Sequence, residues 1–371
     1  MAIIGIKGIF DTNRVHSKPL QERKNSVDIT QSVILPSTYD PPISSYVAEK
    51  ADQIAQQIIA SHKQNASVMI AFGAHTIKNG MGQLLGEMAK RNWVTHLATN
   101  GAGVIHDWEF AYQGKSSEDV KTNVQKGEFG TWQETGLYIN LALALGAYHQ
   151  RGYGDSVGKM IVDNGLSIPS REELIYEGTH HREHISSAAW DLLDTIESLN
   201  IPSGFFPIHH KYGQYSAQAI THTHNVPFTS HPMFGHDIIY THKANKGSVI
   251  GRTAEIDFLS FVDSVERLEG GVYLSIGSAV MSPMIFEKSL SMVRNALQQK
   301  GNDVKNAHIH VVDLQKETWD WSKGEPPMDN PAYYHRFMKT FNRMGCDTHY
   351  LQSDNREFLV ALFRALEKRS N

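Results

Sequence analysis

The chain has 371 residues, enough for one large or two ordinary domains, with 20% charged and 40% hydrophobic residues, the proportions of a globular protein that buries a full core. A formal charge of −4 supplies no basic field, so neither nucleic acid nor an anionic membrane is expected as a partner. The single cysteine, Cys346, excludes an internal disulfide and a cysteine metal cluster and leaves the 20 histidines as the residues to weigh for metal. No run is long enough to span a bilayer. The apolar start MAIIGIKGIF lacks the basic flank and small-residue site of a secretory leader, so the cytoplasm is the expected location.

In chain order, residues 12–45 are polar and rich in Pro and Ser. They predict an extended arm, 1–45, packed on the body or on a partner subunit. Residues 47–64 carry helical apolar spacing. SVMIAFG (67–73), MGQLLGEMAKRN (81–92) and VTHLATN (94–100) then read as strand, helix and strand, a βαβ unit and hence a parallel sheet. Residues 115–150 are mostly helical with a break at KGEFG, and 186–200 form another amphipathic helix. GFFPIH (204–209) and NVPFTSHP (225–232) read as strands. The alternation resumes with strands at 270–278, 307–314 and 348–354 and helices at 283–299, 332–345 and 356–368. Linkers are short, so 46–371 is expected to be one α/β domain with helical insertions.

In such sheets ligands bind at the carboxyl ends of the strands. The glycine-rich loops there contain Gly73, Gly101, Gly103 and Gly277. NGAG (100–103) enters the sequence as a dinucleotide fingerprint would. The sixth position is His106 instead of glycine, so it reads equally as a plain strand-to-helix turn. His106 and Asp107 with Glu109 read as a proton-transfer group or as a turn with a capping Asp. SHPMFGHD (230–237) places His236 and Asp237 in a loop at the same sheet edge. HHREH (180–184) matches an inverted zinc-hydrolase pattern. On one helix His180 and His184 would share a zinc ion with Glu183 as base, but YEGTH before it puts His180 at a helix start, and the histidine content favours a chance match. THTH (221–224) and HIH (308–310) read as strand histidines.

The segments in this order resemble the deoxyhypusine synthases. That family has a glycine-bearing loop where this chain has Asn100-Gly101-Ala102-Gly103-Val104-Ile105-His106-Asp107, and a Gly-Glu-Phe downstream, here Gly127-Glu128-Phe129. NVPFTSHPMFGHDIIY, GGVYLSIGSAV and YLQSDNREFLVALFRAL are similar to its later segments. The resemblance implies a Rossmann-like parallel sheet flanked by helices, NAD as cofactor, and a homo-oligomer (tetramer or dimer). It also implies a small-molecule amine or polyamine that is dehydrogenated, with possible aminoalkyl transfer. By position, Asn100, Gly101 and Gly103 would line the NAD pocket with Gly73 and Gly277. Asp354 would meet the adenosine end and Asp237 the amine. His106 would be the base, with Asp107 and His236 nearby. The family's active-site lysine has no counterpart in register: Phe337 of PAYYHRF falls there, and Lys339 or Lys323 would need shifts. Ile105-His106 replaces its Glu-Glu, and Met281-Ser282-Pro283 its Lys-His-His. Hypusine formation is therefore not expected. The alternatives are a zinc hydrolase built on HHREH or a nucleotide-binding homologue without turnover.

Overall fold

The computed structural model describes residues 8, 10–35, 37, 39–180 and 184–370. Six strands form one sheet: β1 (Val68–Phe72), β2 (His96–Thr99), β3 (Phe228–Ser230), β4 (Val272–Ile276), β5 (His308–Asp313) and β6 (Asp347–Gln352). All five pairings are parallel, in the order β3-β2-β1-β4-β5-β6. The chain winds outward from β1 to β3, returns to the middle, and winds outward again from β4 to β6. This is the doubly wound Rossmann-like arrangement, with its topological switch point between β1 and β4.

The strands are continuous apolar runs because both faces are covered. Side-chain alternation splits the core in two. Val68, Ile70, Phe72, Leu97, Leu274 and Ile276 point into one cluster, which holds the buried residues of α1 (Ser45–Lys63) and α8 (Asn355–Ser370). Met69, Ala71, Ala98, Tyr273 and Ile309 point the other way. They meet α5 (Gly247–Glu266), α6 (Met281–Gln298) and α7 (Arg336–Arg343) through Phe261, Phe286 and Phe341.

Between β2 and β3 the chain runs through a mostly helical insertion. It begins with α3 (Gly101–Gln113), ends with α4 (Ala217–Thr223) and contains the buried helix Gln133–Tyr148. α2 (Gly82–Lys90) precedes β2. GFFPIH forms the expected strand but differs in lying outside the six-stranded sheet: Gly204–Pro207 pairs antiparallel with Gly165–Ile168 as a separate ribbon. THTH also differs, since His222 lies in α4, where residues two apart do not share a face. The N-terminal segment lies against the body. Leu20 and Ile29 are buried, and Val27–Asp28 pairs with Lys115–Ser116.

The glycines at the switch point are required by close approach. A Cβ on Gly73 would meet the Gly277 carbonyl oxygen at 2.1 Å, where the loops after β1 and β4 touch. Gly73→Ala is therefore expected to lower stability by roughly 1–3 kcal/mol through overpacking. Urea denaturation checks this, and an unchanged midpoint would contradict the contact.

Candidate active site

Asn100 ends β2's loop and caps α3, its Oδ1 accepting the Gly103 N–H at 2.9 Å. Gly101 and Gly103 are helical residues, and neither uses a left-handed backbone. Each is small because something presses on it. A Cβ at Gly103 would strike Thr99 Oγ1 at 2.2 Å, and one at Gly101 would strike Asp237 Oδ2 at 2.2 Å. The loop after β3 thus lays the Asp237 carboxylate over the first turn of α3. Asp237 is 8% exposed, and its Oδ2 has no hydrogen-bond partner among the described residues. Burial pushes its carboxyl up to about 7, partly offset by the Ala102 amide.

The helix puts His106 and Glu109 on one face, three residues apart. His106 Nδ1 lies 2.7 Å from Ser116 Oγ, and the Ser116 hydroxyl donates to Glu109 Oε2 at 2.6 Å. Thr135 donates to Glu109 Oε1 at 3.0 Å. Arg23 closes the chain with a two-pronged contact, Nη1 to Oε1 at 2.8 Å and Nη2 to Oε2 at 2.6 Å. Both side chains of this ion pair are almost fully buried, 2% and 1% exposed. Because the serine proton is committed to Glu109, the serine oxygen must accept from His106. That fixes a proton on Nδ1 and leaves Nε2 bare. Burial holds the imidazole down to about 4, so it is neutral near pH 7. A neutral imidazole with a bare Nε2 is equipped to accept a proton.

His106, Asp237, His236, Lys78, Ser117 and Glu118 line a common cavity of about 200 Å³, together with Ala102, Ile105 and the Arg23–Glu109 pair. Ser117 holds a positive φ of 67°, a strained conformation for a non-glycine residue, and its buried hydroxyl has no partner. Glu118 is occupied by Asn123, Gly130 and Trp132 and shapes the loop.

Asp107 does not line this cavity. It points a different way around the helix, where its carboxylate accepts from Ser216 Oγ at 2.5 Å and from the amides of Ala217 and Gln218. It caps α4 from a distance. Asp354 lies beyond β6, at the opposite edge of the sheet, bonded to the Arg356 guanidinium at 3.0 Å. Gly73 and Gly277 meet at the switch point and do not line the cavity. Lys323 and Lys339 pair with Asp320 and Glu325 and do not line the cavity, whereas Lys78 does. Described helices end at His180 and begin at His184; residues 181–183 and the His184 side chain lie outside the described residues. His180 stacks on Tyr176 and bonds its carbonyl at 3.0 Å. No group of three or more histidine, cysteine or acidic residues suited to a metal ion is found among the described residues, and no described helix is long and apolar enough to cross a membrane.

Arg23, Ser116, Ser117 and Lys78 were not evident from the sequence. Reading residues 101–113 as a helix would have paired His106 with Glu109; nothing local marks Arg23, 86 positions from its partner.

No family model matches the chain, and no curated protein matches it. Among solved structures, unliganded AgrE is 15% identical with a TM-score of 0.43, over 88% of this chain and 34% of that one. The ternary complex of AgrE with ornithine and NAD+ gives 15% and 0.42, over 89% and 34%. A conserved LOR/SDH protein from Methanococcus maripaludis S2 gives 12% and 0.43, over 90% and 72%. The chain spans about one third of the length of AgrE.

Two outcomes test the site's electrostatics. Arg23→Ala leaves Glu109 buried without its cation and should cost about 3–5 kcal/mol in urea denaturation; a loss below about 1 kcal/mol, the range of an exposed pair, would contradict a buried one. For Asp237 the folded pKa, about 7, stands above the ordinary 3.8. Its contribution to stability is complete below the lower value and is lost as pH rises through the higher one. Asp237→Asn should therefore melt above the parent at about pH 8, with the gap closing on acidification toward pH 4. A gap independent of pH would contradict the burial of an unpaired carboxylate.

Proposed function

We propose that the protein is an NAD-dependent enzyme that removes hydride from a carbon bearing an amine or hydroxyl on a small molecule. The observation that carries this reading is the chain Arg23–Glu109–Ser116–His106, which holds a neutral imidazole with a bare Nε2 on the wall of a cavity at the carboxyl edge of a doubly wound sheet. Removing hydride from such a carbon releases a proton from the nitrogen or oxygen, and His106 Nε2 is the group to take it. The serine and Glu109 support the cation that forms on the ring. Asp237, fixed over α3, is the group to orient the amine.

The residues at the carboxyl edge fit NAD. Gly277 has a φ of 55° with open space on its Cβ side, so a ligand can approach its backbone. Val280 and Leu314, 60% and 68% exposed, offer apolar surface to a flat ring. Gly277, Val280 and Leu314 would hold the cofactor; when bound it supplies the hydride acceptor. Transfer of an aminoalkyl group, the finer part of the deoxyhypusine synthase resemblance, needs a lysine carrier. Neither Lys323 nor Lys339, the lysines the resemblance offers, lines the cavity, so the proposal stops at dehydrogenation.

Millimolar NAD should raise the melting temperature, since a ligand that binds only the folded state stabilises it. With amines and amino alcohols as substrates, NADH should form. His106→Gln should lower kcat about 10²–10⁴-fold, the usual worth of a positioned base, and leave the NAD shift intact. No shift at millimolar NAD would overturn the proposal.

A further inference from the structure

We infer that the cavity takes a small zwitterion, with its ammonium at Asp237 and its carboxylate at Lys78 and the Ser117 hydroxyl. This rests on the proposed role of the same cavity and names its ligand class.

Three polar groups on the cavity wall are left without partners. Asp237 Oδ2 and Ser117 Oγ are buried and make no hydrogen bond among the described residues, in residues only 8% and 5% exposed. Lys78 lines the same space and forms no ion pair or side-chain hydrogen bond among the described residues. Buried polar atoms are nearly always satisfied, and an orphan needs a reason. Water would serve one such atom, but the strained backbone of Ser117, φ 67°, holds its hydroxyl in place at a cost that a merely wet loop would not retain.

The signs of the charges are informative. Asp237 and Lys78 face one cavity without forming an ion pair with each other, and the remaining charges are already committed: Glu109 to Arg23, Glu118 to its own loop. A diamine would satisfy Asp237 and bring a second cation toward Lys78. A dicarboxylate would satisfy Lys78 and meet Asp237. A molecule bearing one ammonium and one carboxylate satisfies both. At roughly 10–15 Å³ for one water, a cavity of about 200 Å³ has room for a ligand of amino-acid size.

The test is isothermal titration of the full chain, with NAD present, using matched probes. L-ornithine and 1,4-diaminobutane share a carbon skeleton and differ by the carboxylate; pentanoate lacks the amines. The expected result is L-ornithine bound at least tenfold more tightly than 1,4-diaminobutane, with pentanoate weaker still. Lys78→Met should erase the advantage of L-ornithine by weakening L-ornithine, with no loss of 1,4-diaminobutane affinity, and Lys78→Arg should restore most of it. Asp237→Asn should weaken both amines. Equal affinities for the amino acid and the diamine, an advantage that survives Lys78→Met, or no binding by any probe would overturn the inference. Ornithine-selective binding without NADH formation would leave the ligand class standing and sink the dehydrogenase reading. NADH formation from the diamine without carboxylate preference would do the reverse.

Discussion

The contact on which the site depends is the buried ion pair between Arg23 and Glu109. Burial alone would push the Glu109 carboxyl up. The adjoining guanidinium and the hydrogen bonds it donates hold it below the ordinary range instead, so the carboxylate stays charged in the interior. That charge orients the Ser116 hydroxyl, which in turn fixes the tautomer of His106. The cation comes from the N-terminal arm, far away in sequence. The arm is consequently part of the geometry around His106, and its two-residue pairing with Lys115–Ser116 places the serine beside both partners.

The sheet supplies the frame for that contact. Strands β1, β2 and β3 lie side by side and run the same way, so the loops following them emerge at one edge. The loop after β1 leads to Lys78, the loop after β2 to α3 and His106, and the loop after β3 to Asp237. Three segments distant in sequence meet there because parallel topology leaves them no other place. Glycine serves this convergence by omission. At 73, 101 and 103 the missing Cβ lets a carbonyl, a carboxylate and a threonine approach within distances no side chain would permit.

Much of this frame was legible in the sequence. Fully covered parallel strands are short unbroken apolar runs, and the runs at 68–72, 272–276 and 308–313 stand out against their helices. The expectation of a ligand at the carboxyl edge followed from that, as did the choice of Asp237, in its proline- and glycine-bounded loop, as a candidate. The chemistry was less legible. In the sequence only adjacency links His106 to Asp107, and adjacent side chains share a face on neither a strand nor a helix. Once Asn100 caps a helix at Gly101, consecutive residues diverge by about 100°, Asp107 turns to α4, and Glu109 becomes the partner. Ser117 carries no sequence signal for its positive φ, where glycine or asparagine would be the usual choice. Arg23 is invisible to any local pattern. Histidine abundance was a weak signal, and in the fold His222, His308 and His180 each bond another group: Asp155, Asp347 and the Tyr176 carbonyl.

The central claim is that His106 is a neutral imidazole whose Nδ1 carries the proton and whose Nε2 is bare. Its most direct test is the ¹⁵N spectrum of the imidazole across the acid range. With the ring held down to about 4, the account predicts a protonated Nδ1 and an unprotonated Nε2 at pH 7, unchanged down to about pH 5. A ring that gains its second proton near its ordinary value of 6.5, or one with the proton on Nε2, would contradict it.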